Sequence, residues 1–255
     1  MPTALITGGT AGIGAEFARQ LADRGYDLVL VARDEVRLQE YADELRDATA
    51  VDVEILAADL ADRDQTLRVA ARLEDADRPI HMLVNNAGFG LRSTLLESDT
   101  SIDERALDVM CRAVLILAGA AARAMKERGR GTIINVSSTA GFMAMGHYSA
   151  VKAWVTAYTE SLATQLKGTG VTVTALCPGW VKTEFHERAN INAASIPDFA
   201  WIDKTLLVRQ AIADAEKGRV ISIPSIGWKV VMGAARVLPR PAIRLISGKL
   251  TSKRH

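Results

Sequence analysis

Cysteine is nearly absent from this 255-residue chain, with Cys111 and Cys177 its whole complement. Two thiols cannot build a disulfide framework, and these lack the spacing of metal ligands, so no metal site is expected. An excess of charge of either sign is missing as well. Lys and Arg number 31 against 30 Asp and Glu, a net charge of +1, which argues against nucleic acid as the main partner. Long apolar runs are also lacking. The longest uncharged one, Ala113 to Ala122, covers 10 residues between Arg112 and Arg123, too short to cross a bilayer. At the start, Met1-Pro2-Thr3 runs straight into Ala4-Leu5-Ile6. No basic segment or cleavage site is visible there, and a cytoplasmic location is expected. What remains is an ordinary globular balance, 49% hydrophobic and 24% charged, for which one large α/β domain suits the length.

Apolar runs of strand length alternate with helix-length patterns. The runs Ala4 to Thr7, Leu28 to Ala32, Val53 to Ala57 and Met82 to Asn85 are aliphatic or β-branched without in/out alternation. So are Thr132 to Val136, Val171 to Leu176 and Val220 to Ile223. That is the pattern of strands covered on both faces. Helical patterns fall between them, from Ile13 to Arg24, Glu35 to Arg46, Arg63 to Ala76, Ile102 to Arg128, Tyr148 to Lys167 and Lys204 to Lys217. Repeated strand–helix alternation implies a doubly wound parallel sheet. Ligands of such sheets bind beyond the carboxyl ends of the strands. The aperiodic stretch from Glu184 to Asp203 would be a lid there, or a plain surface connection.

Thr7-Gly8-Gly9-Thr10-Ala11-Gly12-Ile13-Gly14 lies between the first strand and the first helix. The free N–H groups and positive dipole end of a helix N-terminus can hold a pyrophosphate. Gly8 permits the turn, Gly12 allows close backbone approach, and Gly14 lets helix and strand pack. Thr10, Ala11 and Ile13 complete the cradle. The spacing Gly-x3-Gly-x-Gly differs from the commoner Gly-x-Gly-x2-Gly, yet the strand-before, helix-after context is that of a dinucleotide site. At the end of the second strand an NAD-binding protein usually carries an acidic residue for the ribose hydroxyls. This chain has Ala32-Arg33 instead. A guanidinium there favours a 2′-phosphate, so the expected cofactor is NADP(H) before NAD(H). Arg33 is its contact and Arg37 a second candidate. Asp59, with Leu60 beside it, could accept from the adenine amino group or cap the helix that starts near Arg63.

Further motifs follow in order: Asn85-Asn86-Ala87-Gly88, Asn135-Val136-Ser137-Ser138, Tyr148-x3-Lys152 and Pro178-Gly179-x3-Thr183. With them the chain resembles the short-chain dehydrogenase/reductase family over residues 7 to 183, and the strand–helix pattern carries the likeness to about residue 223. The resemblance implies an α/β, Rossmann-like fold: a doubly wound parallel seven-stranded sheet with helices on both faces, in a single domain. It implies an NAD(P)-dependent oxidoreductase acting on a small-molecule carbonyl or alcohol, usually a homo-oligomer. It further implies that Asn86, Ala87 and Gly88 line the cofactor. Pro178, Gly179, Val181 and Thr183 would contact the nicotinamide end, and Lys152 would hold the nicotinamide ribose.

The chemistry of Tyr148 and Lys152 stands beside that likeness. Four residues apart on a helix, they share one face. A phenol titrates near ~10, and a fixed ammonium should lower that value. Tyr148 would then serve as general acid in carbonyl reduction and general base in alcohol oxidation. Ser138 ends a strand where its hydroxyl can donate to the substrate oxygen. Strand alternation turns only one of Ser137 and Ser138 toward the site, and the family pattern favours Ser138. Cys177 reads as a buried small residue, and His147 as a pocket or surface residue. Two departures stand out. Met110 occupies the place where the family commonly has an Asn that kinks the long helix and holds a water. The 10-residue step from Ser138 to Tyr148 is shorter than usual, which predicts a tighter loop. Two rivals to a carbonyl reductase remain: a 3-oxoacyl thioester reductase and a non-catalytic NADP(H)-binding protein.

Charge is uneven along the chain. From Lys217 to His255 there are nine cations and no Asp or Glu. The division expected is an NADP(H)-binding catalytic unit over 1–223 and a basic amphipathic extension over 224–255. On one helix Lys229, Arg236, Arg240 and Arg244 would form a stripe beside Trp228, Val230, Val231, Leu238, Ile243, Leu245 and Ile246. Pro239 and Pro241 should break that helix. The segment could lie on an anionic membrane surface, cover the substrate mouth, form a subunit interface, or simply pack with its cations solvated. An apolar extension of this kind hints at a hydrophobic or lipid-like substrate.

Overall fold

In a computed structural model the structure describes residues 1–91, 94–181 and 201–251. The aliphatic runs form β1 (Thr3–Thr7), β2 (Asp27–Ala32), β3 (Val53–Ala57), β4 (Met82–Asn85), β5 (Gly131–Val136) and β6 (Val171–Leu176). They join β9 (Ile221–Ser222) in a seven-stranded sheet of order β3-β2-β1-β4-β5-β6-β9, parallel at every pairing. A separate pair, β7 (Trp180–Val181) and β8 (Trp201–Ile202), sits off its end. The last strand of the main sheet takes in only the middle two residues of the run from Val220 to Ile223, and Pro224 just beyond has no N–H to extend the ladder.

The lack of alternation has its expected cause. Leu5, Val29, Leu83, Ile133 and Val173 pack on one face against Leu73, Leu117 and Val151. Ala4, Ile6, Leu28, Met82 and Ile134 pack on the other against Phe17, Leu38 and Leu207. The helices concerned are α1 (Gly12–Ala22), α2 (Glu35–Ala48) and α7 (Lys204–Glu216) on one side. On the other are α3 (Arg63–Glu74), α5 (Ala113–Glu127) and α6 (His147–Gln165). The fold is therefore the doubly wound Rossmann-like sheet, in a single domain.

The long helix expected from Ile102 to Arg128 is helical as far as Glu127 but changes its winding along the way. It comprises α4 (Ser101–Leu107), a π-helical turn over Asp108–Arg112, and α5. Val109, Met110 and Cys111 are all buried. Near the end, α8 (Ile226–Val237) and α9 (Arg240–Thr251) are separated at Leu238-Pro239, the break the prolines imply. The chain order reverses direction between β1 and β4, and the crevice this opens at the carboxyl ends of the strands is where the site lies.

Candidate active site

The glycine turn is fixed from below. The Gly8 N–H donates to Val31 O at 2.8 Å, and Gly8 and Gly12 hold φ values of 65° and 54°, open to glycine at little cost. A Cβ on Gly14 would stand 2.1 Å from Gly8 O and 2.4 Å from Asn86 Nδ2. Asn86 is the brace: its Nδ2 donates to Thr7 O at 3.0 Å and Gly8 O at 3.1 Å. Thr7 Oγ1 in return accepts the Asn86 and Ala87 N–H groups, both at 3.0 Å. Deeper still, Asn85 Nδ2 donates to Asn135 Oδ1 at 2.9 Å, and Asn135 Nδ2 to Thr159 Oγ1 at 3.0 Å. These buried amides join β4, β5 and α6 beneath the crevice.

Asp34, Asp62 and Asp203 cap α2, α3 and α7 through their side chains. At α1 the cap position is Ala11, with no side-chain bond to the first turn and no acidic residue in it. The N–H groups there face the cleft lined by Gly8, Thr10, Ala11, Gly12 and Ile13, a cradle suited to an anion. Gly14 lies behind it, buried. A dinucleotide fits the groups present: an uncapped helix end, glycines that a Cβ would clash with, and a long crevice beside them.

At one end of the crevice stand Arg33, exposed, and Arg37. Asp59 and Leu60 line it as well. Of the two roles expected for Asp59, the cap is corrected: Asp62 caps α3, accepting from the N–H groups of Asp64 and Gln65. Asp59 instead takes Arg105 Nη2 on both carboxylate oxygens, at 2.9 and 2.7 Å. Burial raises its carboxyl, but hydrogen bonds from Arg105 and Ala61 N–H, with the charges of Arg105 and Arg33, outweigh it and hold it below the usual carboxylate range. Arg105, on α4 and lining the same crevice, has no motif around it and the sequence reading missed it.

Ser138, Tyr148 and Lys152 meet beyond the end of β5. Ser137 Oγ is committed inward, donating to Lys152 O at 2.7 Å and paired with Thr156 Oγ1 at 2.7 Å. Ser138 caps a short 3-10 turn (Thr139–Phe142) by accepting from Ala140 N–H and shares a hydrogen bond with the Tyr148 phenol. Lys152 Nζ lies over the Tyr148 ring, 5.7 Å from its centroid, and donates to Val136 O at 2.9 Å. The expected lowering of the phenol is not what this arrangement produces. Burial pushes Tyr148 up to about 12, against the opposing bond from Ser138. Burial likewise pushes Lys152 down to about 8. The ammonium is aimed at a carbonyl and sits against the ring face, and desolvation sets the direction of both shifts.

Around these groups the departures find places. Met110 sits against Gly88, where a Cβ would come 3.0 Å from its sulfur. His147 is neither a pocket nor a free surface residue: its Nδ1 and Asp103 Oδ1 are 2.7 Å apart, tying α6 to α4. Cys177 is buried, as is Cys111, and neither is in a disulfide. Pro178, Gly179 and Val181 line the cavity, with Pro178 O accepting from Thr139 N–H and Oγ1. Trp228 packs on Gly179, so a Cβ there would fall 2.3 Å from the indole. Thr183 and most of the stretch expected as a lid lie outside the described residues.

The cavity holds about 1550 Å³. One half is the crevice over the strand ends. The other is walled by Trp228, Met232, Leu238, Ile243 and Ile246 of the C-terminal helix pair. The inner face of that segment thus lines the cavity. Among the described residues there is no cluster that could hold a metal ion.

A parallel sheet with an uncapped glycine turn at its switch point is the architecture of a dinucleotide-binding protein. The model of the short chain dehydrogenase family matches residues 2–194, and the chain belongs to that family. A short-chain dehydrogenase from Sphingobium yanoikuyae in complex with NADPH is 34% identical, with a TM-score of 0.84 over 94% of this chain and 97% of that one. The bulky-bulky ketone specific alcohol dehydrogenase of Comamonas testosteroni is 30% identical, with a TM-score of 0.79 over 94% and 96%. Sulfoacetaldehyde reductase 2 of Chromohalobacter salexigens is 34% identical over 82% of this chain and 84% of its own length. The protein is thus an NAD(P)-dependent oxidoreductase acting on CH–OH groups and their carbonyls, with a small-molecule substrate.

Proposed function

We propose that the protein reduces bulky apolar ketones with NADPH and oxidises the matching secondary alcohols in reverse. The observation that carries this is the hydrogen-bonded Ser138–Tyr148 pair over Lys152, at the junction of the crevice and the apolar half of the cavity. A volume of about 1550 Å³ exceeds the roughly 300–1,000 Å³ of a drug-sized ligand, leaving room for a substrate beside a dinucleotide.

The N–H groups of Thr10, Ala11, Gly12 and Ile13 would hold the pyrophosphate, with Gly8 and Gly14 shaping the turn around it. Arg33 and Arg37 would take the 2′-phosphate, and Asp59 and Leu60 the adenine. Asn86, Ala87, Gly88 and Lys152 would flank the nicotinamide ribose, with Pro178, Gly179, Val181 and Thr183 at the ring. NADPH over NADH is supported by the exposed Arg33 where an acidic residue would otherwise stand, and by the NADPH bound to the Sphingobium yanoikuyae neighbour. The bound cofactor supplies or accepts the hydride.

Ser138 donates to the carbonyl oxygen and polarises it. Tyr148, held protonated by its burial, is in the form that gives its proton to that oxygen as negative charge develops. Oxidation needs the phenolate and is favoured as the medium becomes alkaline. Lys152 holds the end of β5 through Val136 O and, below about pH 8, keeps positive charge against the phenol ring. Residues 1–223 form the catalytic unit, and the cavity-facing side of the extension over 224–255 selects the substrate, with Leu245 outside it.

The test is NADPH oxidation against a panel of aryl and long-chain ketones, sulfoacetaldehyde and 3-oxoacyl thioesters, with Tyr148→Phe as control. Turnover of bulky ketones that Tyr148→Phe abolishes is the expected result. Preference for the thioesters assigns the site to acyl chains, and NADPH binding without any turnover leaves a binding protein.

A further inference from the structure

The C-terminal helix pair has two kinds of face. Inward, at four-residue spacing, lie Trp228 and Met232 of α8 and Ile243 and Ser247 of α9, with Ser247 Oγ accepting from Ala144 N–H at 3.0 Å. Outward, each helix presents one exposed cation followed by two exposed aliphatics, Lys229-Val230-Val231 and Arg244-Leu245-Ile246. Leu245 is 71% exposed, Val230 68%, Val231 52% and Ile246 43%. Leu238 and Arg240 stand exposed between them. Val230, Val231, Leu238 and Ile246 also line the cavity. A side chain that both lines a cavity and meets solvent is at its rim, so the rim on this side is aliphatic and is flanked by cations.

We infer that this helix pair lies on an anionic lipid surface, with the mouth of the cavity turned toward it, so that apolar carbonyl compounds pass from the lipid into the site. The inference deepens the reading of the cleft as an apolar-ketone reductase and rests on it. Aliphatic side chains beside Lys and Arg are what an in-plane helix needs, the former entering the acyl boundary and the latter meeting the headgroups. Each helix has 12 residues, and among the described residues no helix is long and apolar enough to cross a membrane. Charge selects lipid over a second copy of this chain. Two copies meeting on this face about a two-fold axis would bring like-charged surfaces together, and the sequence from Lys217 onward has no acidic residue to offset its nine cations.

The experiment is co-sedimentation of the full-length, NADPH-loaded protein with phosphatidylcholine vesicles, with and without phosphatidylglycerol. Turnover of a water-soluble ketone is read in the same preparations before vesicles are added. Wild type should pellet with the anionic vesicles alone, less so as salt screens the charges. The triple variant Lys229→Glu, Arg240→Glu, Arg244→Glu should lower the partition coefficient by about a hundredfold or more. Leu245→Glu, outside the cavity, should also abolish pelleting while leaving turnover of the soluble ketone as it was. Wild type that stays in the supernatant at low salt, or variants that pellet equally, would overturn the lipid surface. So would a wild type that is larger in sedimentation velocity than Leu245→Glu but ignores vesicles, since a second copy would then cover the face. Absence of soluble-ketone turnover strikes the reductase reading, whereas loss of pelleting strikes only the surface.

Discussion

The strand-end half of the cavity and its C-terminal half are held by different forces. The first is backbone and short polar side chains: Thr7, Asn86 and the glycine turn, over a buried amide chain from Asn85 to Thr159. Directional bonds and steric limits leave it little play. The second is side-chain packing from segments far away in sequence, Trp228 on Gly179 and Met232 with Cys177 and Ile223. Packing of that kind accepts substitutions of similar volume. One half therefore suits a reaction that must not vary, and the other a substrate preference that can.

Breaking the reaction itself should have the largest effect. Tyr148→Phe removes the proton donor and should cost about 10²–10⁴ in kcat/KM for any ketone turned over. NADPH affinity, measured by fluorescence titration, should move little, because the phenol hydroxyl belongs to the reacting end.

The steric limit of the first half is sharpened by two glycines. Gly14→Ala puts a methyl group 2.1 Å from Gly8 O and should destabilise the fold by about 1–3 kcal/mol or more, with NADPH affinity falling alongside. Gly25→Ala meets nothing within 4 Å, although its φ is 77°. Its cost should be the backbone strain alone, about 1 kcal/mol. Equal urea midpoints for the two variants would refute the claim that the turn is sterically set.

Arg33 tests whether cofactor choice belongs to the rigid half. Hydrogen bonds to charged groups are worth about 1.5–3 kcal/mol, so Arg33→Ala should raise the KM for NADPH about ten- to a hundredfold. The KM for NADH should stay within about twofold, because no 2′-phosphate is there to lose its partner. Parallel changes for both cofactors would make Arg33 a structural residue.

The same division explains what the sequence could disclose. The sheet strands follow aliphatic runs whose cause is local, burial on both faces, and most begin or end within a residue of the run. The glycine turn and Asn86 were visible because backbone geometry allows few residue types there. Arg105 on Asp59, Trp228 on Gly179 and Asp103 on His147 join segments with no common periodicity. The π turn at Asp108–Arg112 was likewise hidden, since its pattern of apolar residues suits an α-helix equally well. The direction of the Tyr148 shift depended on how much burial Lys152 would have to offset, and spacing alone does not reveal burial.

The smallest effect expected concerns that same lysine. Burial lowers Lys152 to about 8 from an ordinary 10.5. Below about pH 8 it is protonated in both folded and unfolded chains, and the penalty for burying the charge is felt in full. Between about 8 and 10.5 the unfolded chain binds a proton that the folded chain has released, so stability rises with pH by at most about 1.4 kcal/mol per unit. Tyr148 acts oppositely but later: raised from 10 to about 12, it keeps a proton that the unfolded chain loses, and stability falls above pH 10. Cys111, pushed up to about 11, pulls the same way as Tyr148. Lys152→Met leaves both of those groups in place. The difference in urea midpoint between wild type and Lys152→Met from pH 7 to 10 therefore isolates the lysine. Wild type should gain on the variant across that range. Parallel curves would mean that the ammonium is well solvated in the folded protein and that its burial carries no penalty.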